Sequence, residues 1–157
     1  SGPVPLLLPS DSMTAELDQA AQLIRDWLDG EKAPSPETVA ILVRDRYQRD
    51  RVVAGLGERG VEVRAVDSDM VKAGAPVAMT MHRAKGTEFS RVLLFGVKEG
   101  AVPQTMKEYE TSEADRDDAL LRERSLLYVA ATRARDVLAV SWSGERSSLM
   151  GLRVASD

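Results

Sequence analysis

The apolar positions of this chain alternate between two kinds of pattern. From Met13 to Leu28, Leu17, Ala20, Ala21, Ile24 and Leu28 recur at helical spacing, and Gly30 ends the pattern. The polar run Ser10-Asp11-Ser12 just before it offers side chains that can cap that helix. Val39-Ala-Ile-Leu-Val43 is then a short unbroken apolar run, the mark of a strand buried on both faces. Arg46 to Leu56 reads as a second helix, and Val61 to Val66 alternates apolar and polar residues as a strand does. Val77 to Met81 and Val92 to Phe95 are two further β-rich runs. Ser112 and Asp115 form a capping pair that opens a long helix to about Ala131, and Val137 to Trp142 closes the pattern as a strand. Val4 to Leu8 fits a short opening strand closed off by Pro9. Helices interleaved with fully apolar strands predict an α/β layer fold with a mainly parallel sheet. There is no internal repeat.

Composition narrows this picture. At 157 residues with 43% apolar, one domain with a real core is expected over 1–157, with residues 1–12 as an opening strand and linker and 144–157 as a surface tail. Cysteine is absent and there is a single histidine, which excludes a disulfide framework and a zinc site of Cys and His clusters. No metal ligand set is expected on this chain. Residues 1–10 hold a Leu-Leu-Leu run without a basic flank and with too few apolar residues for a signal peptide or membrane span, so a soluble, cytoplasmic protein with no membrane partner is expected. A net charge of −4 argues against coating nucleic acid by bulk electrostatics, yet leaves room for a local basic track. Arg44, Arg46, Arg49 and Arg51 crowd one stretch, and Glu108, Glu110, Glu113, Asp115, Asp117 and Asp118 another.

Three motifs bear on chemistry. Gly55-Leu-Gly-Glu-Arg-Gly60 matches G-x-G-x-x-G by letter, but a helix precedes it and a strand follows, the reverse of a dinucleotide site. Its glycines are expected to be helix C-caps with positive φ. No Gly-Lys pair occurs, so there is no Walker A loop, and unaided hydrolysis of a nucleoside triphosphate is not expected. Thr80 to Glu88 ends a buried strand, which places it at the carboxyl edge of the sheet, where open α/β folds bind ligands. There His82, Arg83 and Lys85 supply donors and positive charge, Gly86 permits close backbone approach, and Glu88 suits sugar hydroxyls. Arg133 and Arg135 follow a helix and precede a strand. They read equally as cations complementing a helix C-terminus and as arginines reaching into a neighbouring domain's phosphate site.

Together these segments resemble the second RecA-like motor domain of UvrD/Rep-type superfamily 1 DNA helicases. Thr80-Met-His-Arg-Ala-Lys-Gly-Thr-Glu-Phe89 is similar to that family's motif V, and Glu123-Arg-Ser-Leu-Leu-Tyr-Val-Ala-Ala-Thr-Arg-Ala-Arg135 to its motif VI. The resemblance runs from about Thr38 to Ser143 and implies a RecA-like three-layer fold. It further implies that Arg133 contacts the γ-phosphate of ATP, that Glu88 holds the ribose with Gly86 beside it, and that Thr80 and His82 meet the backbone of single-stranded DNA. Arg83 and Lys85 join that DNA set. ATP with Mg would be bound mainly by a first motor domain, which is expected upstream together with the Asn-Tyr-Arg-Ser-like motif. The chain then reads as half of an ATP site, inactive alone. Thr87 stands where leucine is usual and Ser125 where a second arginine is frequent, and only Asp67 to Pro76 occupies the place of the family's inserted domain. The alternative reading is a non-catalytic module derived from a helicase, docking through the acidic stretch 108–118.

Overall fold

A computed structural model describes residues 2–67, 74–104 and 112–150. Six strands form one parallel sheet: β1 (Leu6–Ser10), β2 (Val39–Val43), β3 (Arg64–Ala65), β4 (Val77–Thr80), β5 (Phe89–Leu94) and β6 (Ala134–Ser143), in the order β1-β6-β5-β2-β4-β3. The helices are α1 (Met13–Leu28), α2 (Arg46–Glu58) and α3 (Glu113–Ala131), with a single 3-10 turn at Pro36–Thr38.

Alternation within β2 shows how the layers arise. Val39, Ile41 and Val43 pack with Ala20, Ala21, Ile24 and Trp27 of α1 and Val52 and Leu56 of α2. Ala40 and Leu42 point the other way, into a cluster that holds Leu126 and Ala130 of α3. A strand whose successive side chains face opposite layers must be apolar at every position, and all five residues of β2 are buried. The expected α/β three-layer fold with a parallel sheet is therefore the observed one.

Helix starts follow the capping chemistry. Ser12 accepts from Ala15 N, Asp45 from Gln48 N and Ser112 from Asp115 N, each satisfying an otherwise orphaned donor of the first turn. Elsewhere the structure departs from expectation. β1 runs through Pro9 because it is an edge strand, where the missing N–H of proline interrupts no ladder on the open side. Of the three fingerprint glycines only Gly60 is a positive-φ cap, at +79°. Gly55 lies inside α2 against α1, where a Cβ would sit 2.6 Å from Leu17 Cδ1, so its role is close helix approach. The segment after β6 is not all surface: Leu149 is buried and the Ser147 hydroxyl donates to the Val102 carbonyl. Residues 105–111, part of the acidic stretch, lie outside the described residues.

Among the described residues, one core group is ionisable. Glu16 of α1 is fully buried, and its Oε2 accepts from Ser141 Oγ at 2.6 Å and from Gly96 N at 2.9 Å, while Oε1 has no partner. Burial pushes its pKa above 4.5, against the opposing pull of the Ser141 and Gly96 hydrogen bonds and the Lys98 charge. A carboxyl that holds its proton more tightly folded than unfolded adds stability below 4.5 and loses it as pH rises through the folded value. Glu16→Gln is thus expected to be more stable than the parent at pH 8 and to flatten that decline. Urea unfolding at pH 5 and pH 8 measures both, and an unchanged difference between the two pH values rejects it.

Candidate functional site

Thr80 ends β4, and its side chain and backbone shape the turn that follows. Thr80 Oγ1 accepts from Arg83 N at 3.1 Å, and the Thr80 carbonyl accepts from Ala84 N at 3.2 Å. Met81 and Ala84 drop into the α3-side core, which leaves His82, Lys85 and Gly86 exposed between them. Arg83 is held by the Asp67 carbonyl, which accepts from its Nε. Gly86 takes φ of +78°, a conformation that disfavours any side chain, and reverses the chain toward β5.

That reversal corrects the expectation that Thr80 to Glu88 forms one cluster at the carboxyl edge. Strands β4 and β5 are both parallel neighbours of β2, so their connection must return from the carboxyl edge of one to the amino edge of the other. Thr80, His82 and Arg83 follow the end of β4, whereas Glu88 directly precedes β5. The segment serves both edges of the sheet.

At the carboxyl edge, β2 and β4 end side by side with Val43 paired to Thr80, so Arg44 emerges next to the His82 turn. Arg44 is clamped by Glu123 of α3, Nη2 to Oε2 at 2.8 Å and Nε to Oε1 at 3.0 Å, with both side chains largely buried. Gln104 bridges the pair to α2: its N donates to Glu123 Oε1 at 3.3 Å and its Nε2 to Asp45 Oδ2 at 3.1 Å. Desolvation, then the charges of Arg44 and Lys85, hold the His82 pKa below 6.5 against the opposing pull of Glu123. His82 is therefore mainly neutral at pH 7, a hydrogen-bonding group more than a cation. The Arg44–Glu123 clamp escaped the sequence reading, although an arginine directly after a fully buried strand was a signal for it.

At the amino edge, Phe89 and Ala134 are register partners, and Phe89 N donates to the Arg133 carbonyl at 2.8 Å. Glu88 and Arg133 thus lead into adjacent strands. The Arg133 guanidinium donates through Nε to the Val129 carbonyl at 3.1 Å, through Nη1 to the Thr87 carbonyl at 3.0 Å and through Nη2 to Thr132 Oγ1 at 3.0 Å. All three acceptors are neutral, and among the described residues no carboxylate pairs with it. Arg135, by contrast, is tied to Asp136 at 3.3 Å, and Asp136 also accepts from Ser90 Oγ at 3.0 Å. The Val129 carbonyl belongs to the last turn of α3, so Arg133 complements that helix end while lacking a carboxylate partner among the described residues, whereas Arg135 is paired with Asp136. Among the described residues no group of His, Cys, Asp or Glu could hold a metal ion, and no helix is long and apolar enough to cross a membrane.

The parallel sheet between two helical layers defines the class: a RecA-like α/β fold. A possible DNA helicase from Lactobacillus plantarum WCFS1 has a C-terminal domain that superposes with a TM-score of 0.70 at 22% identity, covering 96% of this chain and 80% of that one. Residues 76–145 match the family model of the UvrD-like helicase C-terminal domain. YjcD of Bacillus subtilis (strain 168) is 37% identical over 84 residues, which are 54% of this chain and 11% of that protein. The ATP-dependent DNA helicase Rep of Buchnera aphidicola subsp. Schizaphis graminum is 28% identical over 115 residues, 73% of this chain and 15% of Rep. The chain thus spans a small part of the curated relatives it matches.

Proposed function

We propose that this chain is the C-terminal motor domain of an ATP-dependent DNA helicase or translocase, completing an ATP site shared with a first motor domain of the same polypeptide. The observation that carries the reading is Arg133, a guanidinium oriented by three neutral acceptors, free of any carboxylate among the described residues, and leading into the strand beside the one that Glu88 precedes. A preset cation of this kind can stabilise negative charge that grows on a transferred phosphoryl group without reorganising when it does so. Glu88 is exposed and suited to accept hydrogen bonds from ribose hydroxyls, and Gly86 keeps the adjoining backbone free of a side chain.

ATP fits this edge only in part: there is a cation and a carboxylate, but no loop of amides to cradle phosphates. ATP would supply the phosphoryl transfer that drives domain movement, with Mg held mainly by the first motor domain. The carboxyl edge would meet single-stranded DNA through Thr80 and His82, with Arg83 and Lys85 nearby. This division assigns each edge of the sheet one ligand, and motif V runs between them.

Mixing the chain with its upstream motor domain tests the proposal. The chain alone should show no ATPase activity, and the combination should show one that single-stranded DNA stimulates. A reconstituted pair that hydrolyses no ATP in the presence of DNA overturns the reading.

A further inference from the structure

The carboxyl edge carries an aromatic side chain that neither motif includes. Tyr47 stands in the first turn of α2 and is 66% exposed. Arg51, four residues on, lays its guanidinium over the ring with Cζ 5.4 Å from the centroid. That contact sets the guanidinium against the ring, and much of the side chain remains accessible to solvent. Arg51 has no carboxylate partner among the described residues, whereas Arg49 of the same helix pairs with Asp50 at 3.1 Å. Arg46, next to Tyr47 in sequence, has a side chain 70% exposed and pairs with Asp67 at 3.3 Å, and the carbonyl of the same Asp67 accepts from Arg83. A chain of contacts therefore connects the start of α2 to the turn that carries His82 and Arg83, consistent with the pairing of Val43 with Thr80.

An exposed flat ring with one guanidinium laid over it is an arrangement that takes unpaired bases. Every base presents a π face to stack, whatever the sequence, while the charge of Arg51 favours the phosphate backbone beside it. An apolar peptide would instead need a continuous hydrophobic rim, and the residues flanking Tyr47 in α2 are Arg46, Gln48, Arg49, Asp50 and Arg51.

We propose that Tyr47, backed by Arg51, is a base-stacking platform that extends the single-stranded DNA track along the carboxyl edge. The proposal rests on reading that edge as the DNA-facing one. Fluorescence anisotropy at low salt, with a short oligothymidylate and an abasic oligomer of the same phosphate count, separates stacking from charge. The parent chain should bind the oligothymidylate about tenfold more tightly than the abasic strand, in line with the usual worth of one stacked base. Tyr47→Ala should bring that ratio close to one, Tyr47→Phe should keep it, and Arg51→Ala should reduce it. A preference that survives Tyr47→Ala, or equal binding of both strands by the parent, overturns the platform while leaving a charge-based track standing. Binding of neither strand by the parent overturns the DNA-facing edge and the platform with it.

Discussion

Arg133→Ala in the full-length protein is expected to lower DNA-stimulated ATP hydrolysis by about 10³-fold or more, the range associated with losing an arginine that meets the transferring phosphate. The expectation follows from how the side chain is held. Its three hydrogen bonds go to the Val129 and Thr87 carbonyls and the Thr132 hydroxyl, which orient the guanidinium without neutralising it. Arg133→Lys should rescue little, because one ammonium cannot reproduce a fork that contacts three acceptors at once. Alanine also removes those contacts, so thermal unfolding of the variant must accompany the rate measurement. A variant that folds as the parent does and hydrolyses ATP at an unchanged rate refutes the finger. Arg135→Ala is the internal control: its charge is already taken by Asp136, and its effect on the rate should be small.

How far the sequence could carry these assignments depends on what each element owes to local pattern. α1 was legible to the residue because its apolar stripe and its cap are both local, as was β2, whose two buried faces forbid any polar position. β5 and β6 begin three residues earlier than their apolar runs, at Phe89 and Ala134. Those first turns of strand carry Ser90, Arg91, Arg135 and Asp136, and they are strand because they pair with one another across a bulge, with Ser90 bonded to Asp136. Hydropathy cannot register a pairing 46 residues apart. The reverse happens before β4, where Val61 and Val63 bury their side chains as a strand would but only Arg64 and Ala65 pair.

The same distinction applies to the site. The residue types in motif V and motif VI were readable because they place cations and polar groups where burial would have chosen hydrophobes. Their division between two edges was not, because it follows from strand order, and strand order is a property of long-range pairing. With β2 between β4 and β5, the motif V segment must cross the sheet, so its first half and its last half cannot serve one cluster. Between the two edges the turn is anchored in the core by Met81 and Ala84, and at its far end the Thr87 carbonyl accepts from Arg133.

The second large effect is expected at the clamp that fixes the carboxyl edge to α3. Glu123→Ala should destabilise the fold by about 3 kcal/mol, because removing one partner leaves the Arg44 guanidinium largely buried and unpaired. For a domain of this size that corresponds to a fall in Tm of roughly 6–12 °C, readable by thermal unfolding. Part of the loss belongs to Gln104, whose N also donates to Glu123. The cost is that of an orphaned charge and not of the pair itself, so the double variant Arg44→Met with Glu123→Leu should recover most of the stability. A single variant with unchanged Tm, or a double variant no better than the single, contradicts this account. The clamp has a second readout at the site: Glu123 is the group that raises the His82 pKa against Arg44 and Lys85. With Glu123 gone, the imidazole should titrate at still lower pH. An NMR titration of this sole histidine in Glu123→Ala separates electrostatic coupling from mere loosening of α3, since loosening would admit water and move the pKa back toward 6.5.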